Sequence, residues 1–304
     1  MNTRLPMNVI SATILLSSVA FAQTNFCSHV TIYDMKTGKT REVHQADGIM
    51  EAPNWSRDGK FLLVNTGGNL YKLPVGGGAL EKIDVGDYRC NNDHDLSKDG
   101  TRLAFSASSP ASRQSQVFVS DANGANVQLR TPLAPSYFHG WSPDGKWLAF
   151  VGQREGKYEL FRVAANGGSE ERLTSKGAYD DGPEYTPDGK WIYFNSNRSG
   201  GWDIWRIPAS GAGAGDAKAE QITKDEWEDW FPHISPNAKH MILLSFPKGT
   251  AGHNGRMPGM AIRLYRKSGK HKILATFFGG QGTINVNSWS PDSTQFAYVV
   301  YEPR

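Results

Sequence analysis

The 304-residue chain lacks the signatures of several large functional classes. Its formal net charge is only +3 and its basic residues form no dense run, so nucleic acid is not an expected partner. It contains no G-x-S-x-G nucleophile elbow, which excludes a serine hydrolase domain. The glycine-rich segment 211–215 lacks the strand-turn-helix context of a phosphate-binding loop.

The chain also lacks an apolar run of the roughly 20 residues that a membrane-spanning helix needs. Its N-terminal apolar stretch, residues 9–19, follows Arg4 and precedes a small-residue cleavage site at Ala20 and Ala22. We therefore expect residues 1–22 to be a secretory signal peptide and residues 23–304 to form a single exported domain. The mature protein should be periplasmic or secreted, monomeric and without a stable membrane anchor.

What the chain does have is one short phrase repeated six times. Each copy, which we call the turn box, starts with a large apolar residue and continues with Ser or Thr, two turn-forming residues and, in four copies, Gly. The six turn boxes are residues 55–59, 96–100, 141–145, 185–189, 234–238 and 289–293. Their Ser or Thr residues are spaced 41 to 55 residues apart, which is the length of one four-stranded propeller blade.

The residues of the turn box have a mechanical explanation. Pro presets φ at the second position of a turn, Asp bonds locally, and Gly accepts a positive φ. The large residue before each Ser or Thr recurs at blade spacing, so we expect Trp55, Trp141, Tyr185 and Trp289 to pack between blades.

The sixth repeat ends after only two strands, near Trp289 and at residues 296–300. Residues 29–34 and 40–43 have the pattern of the missing third and fourth strands. We therefore predict an all-β fold, a six-bladed β-propeller of four-stranded blades whose last blade is closed by N-terminal strands. The sequence leaves open whether Cys27 and Cys90 form a disulfide in an oxidising compartment.

With its repeats and its export signal, the chain resembles the TolB-like six-bladed propellers, which carry PD40 or WD40-like repeats. Their repeat reads S-P-D-G-K, an apolar strand, S-x-R-x-G, I-Y, D-G-G and L-T, and the fourth repeat here contains Ser196-Asn197-Arg198-Ser199-Gly200. The resemblance covers essentially the whole mature chain. The TolB translocation protein itself carries an α/β domain ahead of its propeller, so the resemblance does not imply a Tol-system role.

Propellers bind ligands where their innermost strands begin, and we call this end of the central channel the mouth. The residues just before the turn boxes are more polar than a turn requires. We predict that the ligand-binding residues at the mouth are Asn92, Asp93, Asp181, Glu184, Trp230, Arg256 and Asn287. The segment 247–260 contains His253 and is placed to act as a lid, although an ordinary glycine-rich loop explains it equally well.

Three histidines precede turn boxes in similar register, namely His94, His139 and His233. Neutral imidazoles beside carboxylates suit a divalent metal such as manganese or calcium, although each histidine can equally be a hydrogen-bonded structural residue. A weaker resemblance to oligogalacturonate lyase propellers, which hold a divalent metal with histidines and a glutamine, adds Gln281 to this set. That resemblance is partial, because the residues after Gln281 include no histidine.

Two functions follow from these residues. The first is a binding propeller that recognises a protein or a glycan ligand at its mouth. The second is a metal-dependent carbohydrate-active enzyme resembling the uronate oligosaccharide lyases, in which His94, His139 or His253 removes a proton from the substrate. The sequence does not decide between them.

Overall fold

The computed structural model describes residues 26–176 and 178–304, so the expected signal peptide lies outside the described residues. Nearly all regular structure is β-strand, arranged in six antiparallel sheets around a central channel. The predicted six-bladed β-propeller is confirmed. Two short 3₁₀ helices, Ala214–Asp216 and Gln281–Thr283, are the helical elements of the described residues.

The strands are numbered in chain order. The N-terminal pair is β1 (Phe26–Asp34) and β2 (Thr40–Asp47). Blade 1 contains β3 (Met50–Trp55), β4 (Phe61–Thr66), β5 (Asn69–Pro74) and β6 (Glu81–Ile83). Blade 2 contains β7 (Arg89–Leu96), β8 (Arg102–Ser109), β9 (Ser112–Asp121) and β10 (Gln128–Leu129). Blade 3 contains β11 (Ser136–Trp141), β12 (Trp147–Arg154), β13 (Lys157–Ala164) and β14 (Glu171–Arg172).

The remaining blades follow the same order from the channel outward. Blade 4 contains β15 (Asp180–Tyr185), β16 (Trp191–Ser196), β17 (Asp203–Pro208) and β18 (Glu220–Gln221). Blade 5 contains β19 (Glu228–Ile234), β20 (Met241–Phe246), β21 (Met257–Leu264) and β22 (Lys272–Gly279). The last strand is β23 (Gln295–Pro303).

Blade 6 is assembled from both ends of the chain. Strand β1 pairs with β23 over nine positions, from Phe26 opposite Pro303 to Asp34 opposite Gln295, and β2 forms the outer edge. The inner strand of this blade is reduced to a bridge between Trp289 and Phe296. The predicted closure by the N-terminal strands is therefore confirmed, and no covalent link is needed at the seam.

The turn boxes work as the sequence predicts. In all six, the Ser or Thr hydroxyl donates to the Asp or Asn side chain two residues later, at 2.6–2.8 Å. The same oxygen accepts from the backbone N–H five residues later, at 2.9–3.1 Å, which anchors the start of the next strand. The last residue has a positive φ in each box, including Ala238 and Ser293, where Gly is absent.

The interfaces between blades are filled by the large residue that precedes each Ser or Thr. Trp55, Trp141, Tyr185 and Trp289 are between 2% and 7% exposed, and each packs in a cluster with side chains of the neighbouring blade. Trp141 and Trp289 also donate their indole N–H groups to backbone carbonyls of the preceding blade, at 3.1 Å. Their predicted place between blades is confirmed.

The two cysteines are free thiols in different blades. Cys27 lies on β1 in blade 6, where it accepts a hydrogen bond from Gln45 at 3.0 Å, and Cys90 lies on β7 in blade 2. Burial raises the pKa of the Cys90 thiol to about 12. The disulfide that the sequence left open is not formed in this structure.

Blade 6 predicts that the N-terminal strands are essential to the fold. A variant that starts at Gly48 lacks β1 and β2 and leaves β23 with an open edge, whereas a variant that starts at Gln23 keeps them. We expect the shorter protein to aggregate or to melt more than about 10 °C lower, as measured by circular dichroism. Val30→Ala, a milder change at a fully buried position of β1, should cost about 1–3 kcal/mol. Equal melting temperatures would show that closure is unimportant.

A second prediction concerns the turn box of blade 3. Asp144→Ala removes the acceptor of Ser142 and of the backbone N–H of Lys146, and should lower the free energy of unfolding by about 1 kcal/mol in urea titrations. Lys146→Ala, in the same turn, removes only an exposed ion pair at 3.5 Å and should change it by about 0.3 kcal/mol or less. Equal effects would contradict the mechanical function of the aspartate.

Candidate functional site

The five complete inner strands are all irregular at the same level. Their pairing with the second strand shifts register between Glu51 and Asn54 in blade 1 and at the matching level of blades 2 to 5. Ala52 and Phe231 adopt positive φ within these shifts, which is rare for residues other than Gly. Such bulges change the direction of the side chains near the mouth, so strand periodicity alone does not give their orientation.

A cavity of about 280 Å³ lies at the mouth, and we call it the mouth cavity. Six of its lining residues were predicted as ligand-binding, metal-binding or catalytic candidates: Asn92, Asp93, His139, Asp181, His253 and Gln281. Six more complete the lining: Asn91, Tyr137, Val151, Tyr158, Tyr179 and Asn254. The structure therefore brings about half of the predicted residues together and adds a wall of tyrosines.

The floor of the mouth cavity is a buried acid–histidine group. His139 Nε2 lies 3.1 Å from Asp181 Oδ1, and the Phe231 ring stacks on the imidazole with centroids 5.8 Å apart. The backbone N–H of Gly182 also donates to Asp181 Oδ1, at 2.7 Å. Asp93 is 1% exposed and accepts from the Asn91 side chain at 2.8 Å.

The charges on this floor shift one another's pKa values. Burial lowers the pKa of His139, but the hydrogen bond to Asp181 and the charges of Asp93 and Asp181 outweigh it, so the net shift is upward. Burial raises the pKa of Asp181, yet its contacts with His139 lower it overall. The pKa of Asp93 is raised, mainly by burial. The shifts of His139 and Asp181 thus have the directions expected for an ion pair between these two side chains, whereas the shift of Asp93 disfavours its charged form.

Residues 284–287, which we call the plug, stand where the other blades have their inner strand, and Ile284, Asn285 and Val286 are each 1% exposed. Asn285 donates its side-chain N–H to Asp93 of blade 2. Asn287 donates to Glu184 of blade 4 at 2.7 Å and to a backbone carbonyl of blade 5 at 2.9 Å. The plug therefore bonds to residues of blades 2, 4 and 5.

His233 and Glu184 contact the plug and do not line the mouth cavity. His233 Nδ1 is 2.7 Å from Glu184 Oε2, and its Nε2 is 2.9 Å from the backbone oxygen of Ile284. Glu184 and Asn287 line a separate cavity of about 110 Å³ nearer the turn boxes. Glu184 and Asn287 therefore do not line the mouth cavity, and their contact with a ligand stays a prediction.

His94 is buried without any polar partner. It is 0% exposed, and neither ring nitrogen has a hydrogen-bond partner among the described residues. Burial lowers the pKa of His94 to about 4, so the ring is neutral near pH 7. His94 does not line the mouth cavity, so nothing in this geometry supports it as a proton acceptor for a ligand there.

The loop between β20 and β21 covers part of the mouth, and it is shorter than predicted because β21 begins at Met257. His253 of this loop is 5% exposed, with its Nε2 3.7 Å from Asp181 Oδ2. Burial lowers the pKa of His253. Arg256, predicted to contact the ligand, instead pairs with Glu51 at 2.6 Å and attaches the loop to blade 1.

Trp230 does not present its ring at the mouth as predicted. It is 0% exposed and lies between the ring of Trp202, at 3.9 Å between centroids, and the ring of His253, at 4.2 Å. The bulge at this level of β19 turns the side chain into the space between blades 4 and 5. The aromatic surface of the mouth cavity comes instead from Tyr137, Tyr158 and Tyr179, which sequence reasoning missed as a group because they lie on three different chain segments.

The three histidines of the predicted metal set have separate surroundings. Within residues 26–176 and 178–304, no group of three or more His, Cys, Asp or Glu side chains is arranged to hold a metal ion. His139 contacts Asp181, and His233 contacts Glu184. The predicted metal set with Gln281, and the lyase-like activity that depends on it, stay predictions.

Comparison with known proteins identifies a family model and a relative that match this chain. A family model described as the TolB beta propeller domain matches residues 132–257. A protein of Agrobacterium fabrum (strain C58), named Uncharacterized protein Atu1656, is 40% identical over 278 residues, or 91% of this chain and 93% of that protein.

Several solved structures also resemble this chain. A "putative TolB" from Agrobacterium tumefaciens superposes with a TM-score of 0.86 at 40% identity, covering 92% of this chain and 99% of that one. TolB from Acinetobacter baumannii gives a TM-score of 0.62 at 16% identity, over 93% of this chain and 67% of that one, which is a likeness of fold. The likeness to oligogalacturonate lyase propellers is also one of fold alone. No helix of the described residues is long and apolar enough to cross a membrane.

His94 gives a prediction about acid stability. Because its pKa is lower in the folded protein than the 6.5 of an unfolded chain, the stability present above pH 6.5 is lost as the pH falls toward 4. His94→Leu replaces the histidine with a residue of similar volume and should remove this loss. When the pH is lowered from 7 to 5, its free energy of unfolding should therefore rise by about 2 kcal/mol relative to that of the natural protein. Urea unfolding at both pH values measures it, and parallel pH profiles would contradict it.

Proposed function

This chain belongs to the family of TolB-like six-bladed β-propellers, and from that premise we propose that it is an exported binding protein whose mouth cavity receives a segment of a protein partner. TolB-like propellers are protein-interacting domains, and the family is periplasmic. The N-terminal sequence, with Arg4, an apolar stretch and the Ala20 to Ala22 cleavage site, supports export of this chain.

The observation that carries the proposal is a polar cavity at the mouth whose lining joins buried and exposed residues. Asp93, His139 and Asp181 in its lining are buried, whereas the side chain of Asn254 is exposed. We expect a ligand to enter past Asn254 and to end at the buried group. A cavity of about 280 Å³ accommodates one large side chain or the end of a chain, which suits a protruding segment of a partner.

The charges favour a basic group on that segment. The lining of the mouth cavity contains two carboxyl groups, those of Asp93 and Asp181, and no Lys or Arg side chain. Tyrosine rings bind cations through their faces, and Tyr158 and Tyr179 lie together in the wall at 4.7 Å between centroids. We therefore propose that the partner inserts a lysine or arginine side chain or a terminal amine.

Site-specific photo-crosslinking in the native cell tests this function. A photoreactive residue in place of Asn254, at the edge of the mouth cavity, should capture a protein partner, and Asp181→Asn should reduce capture about tenfold because one carboxylate charge is lost. The matched control carries the photoreactive residue in place of Lys60, an exposed position in the turn box region of blade 1.

Each outcome decides the proposal. A product specific to the Asn254 position, reduced by Asp181→Asn, supports a protein ligand at the mouth. Equal products from Asn254 and Lys60, or none from either, contradict it. Capture of a glycan instead of a protein at Asn254 would replace the proposed ligand class and keep the site.

A further inference from the structure

A second concave site lies on the mouth side of the ring but outside the channel. A cavity of about 490 Å³ opens between blades 4 and 5, and we call it the rim groove. It is lined by Ser199, Gly200, Gly201, Trp202, Asp203, Trp205, Gln221, Lys224, Asp225, Glu226, Trp227, Glu228 and Lys248. None of these residues lines the mouth cavity.

Three of the nine tryptophans of the chain line the rim groove. Trp202 is nearly buried, whereas Trp205 and Trp227 are partly exposed. The Arg198 guanidinium lies 5.2 Å from the ring centre of Trp205, and the Arg263 guanidinium lies 5.1 Å from that of Trp227.

These arginines hold the rings in place. Both arginine side chains are nearly buried, and each is fixed by an ion pair, Arg198 with Asp180 at 2.8 Å and Arg263 with Asp229 at 2.6 Å. Trp205 and Trp227 keep part of their surface exposed in the lining of the groove. Two aromatic surfaces are thus fixed in place before any ligand arrives, which reduces the entropy lost on binding.

Polar groups lie beside the rings. The indole N–H of Trp205 is buried and has no partner among the described residues. Asp203 accepts from Ser199 at 2.6 Å and from Gln221 at 2.9 Å, and these three side chains lie along one edge of the groove. The hydroxyl, amide and carboxylate groups of this edge can exchange hydrogen bonds with a polar ligand.

The charges of the rim groove are mixed. The lining contains four carboxylates and two lysines. Lys248 lies 3.8 Å from Glu226, Asp225 pairs with Arg263 at 2.7 Å, and Glu228 accepts from the backbone N–H groups of Trp202 and Gly249. Because these carboxylates already have partners within the protein, the groove favours an uncharged ligand with many hydroxyl groups.

We propose that the rim groove binds a neutral oligosaccharide. The C–H faces of sugar rings pack on the electron-rich faces of indoles, and sugar hydroxyls exchange hydrogen bonds with carboxylate, amide and N–H groups. The groove offers both kinds of surface in a volume that holds two or three sugar units. This site is independent of the protein ligand proposed for the mouth.

The two sites nevertheless share a wall. Tyr179 lines the mouth cavity and contacts Trp202 of the rim groove edge-on, at 5.2 Å between ring centroids. Trp202 in turn contacts the ring of Trp230, at 3.9 Å between centroids and with the planes tilted by 34°. A protein held at the mouth and a glycan held at the rim would therefore be neighbours on one face of the ring.

Isothermal titration calorimetry with cellotetraose, chitotetraose and maltotetraose tests the rim groove. At least one should bind saturably and change the tryptophan fluorescence. Trp227→Ala should weaken that binding at least tenfold, and Trp205→Phe, which keeps an aromatic ring but removes the N–H, should weaken it less. Melting temperatures of the variants verify that they fold.

The matched control is Trp191→Ala. Trp191 lies in blade 4, like Trp205, and is also partly exposed. The Arg206 guanidinium lies 4.0 Å from its ring centre, but Trp191 does not line the rim groove. Binding unchanged in Trp191→Ala and in the mouth variant Asp181→Asn supports the proposal and separates it from the mouth. Absence of binding by all three sugars at millimolar concentration overturns it, as does equal loss in Trp191→Ala and Trp227→Ala.

Discussion

The antiparallel pairing of β1 with β23 is the contact on which the rest of the molecule depends. Nine residue pairs join the two ends of the chain and complete a blade that neither end forms alone. The pairing holds blade 6 between blades 5 and 1, and so fixes the diameter of the ring. The channel, the plug and both cavities all follow from a closed ring, because each of them is lined by residues of several blades.

Much of this architecture is readable from the sequence because it repeats. The turn box recurs with one hydrogen-bond pattern, and the incomplete sixth repeat points directly to residues 29–34 as its complement. Signals of this kind are local, since a turn is determined by four or five consecutive residues. The strands between the turn boxes then need only alternate apolar and polar residues, because successive side chains of a strand point to opposite faces of the sheet.

The site was only partly predictable because its contacts are not local. The histidines at the mouth share a register in the sequence, yet His139 faces Asp181 while His94 faces no polar group. The contacts of the plug were equally hard to predict, because residues 284–287 follow no repeat and their partners lie about 50 to 200 residues away. The bulge near Trp230 also made the direction of its side chain unpredictable, because one residue of register decides which face of a strand a side chain occupies.

The position of β1 also has a consequence for biosynthesis. This strand belongs to the first part of the domain to be made, but its partner β23 is the last strand of the chain. Until β23 has been synthesised, β1 has an exposed edge with no native neighbour on that side, and the seam between blades 5 and 1 is open. The native ring is therefore completed only after the strands of all the other blades have been synthesised, and the waiting N-terminal segment is the part of a nascent chain on which a holdase chaperone would act most usefully.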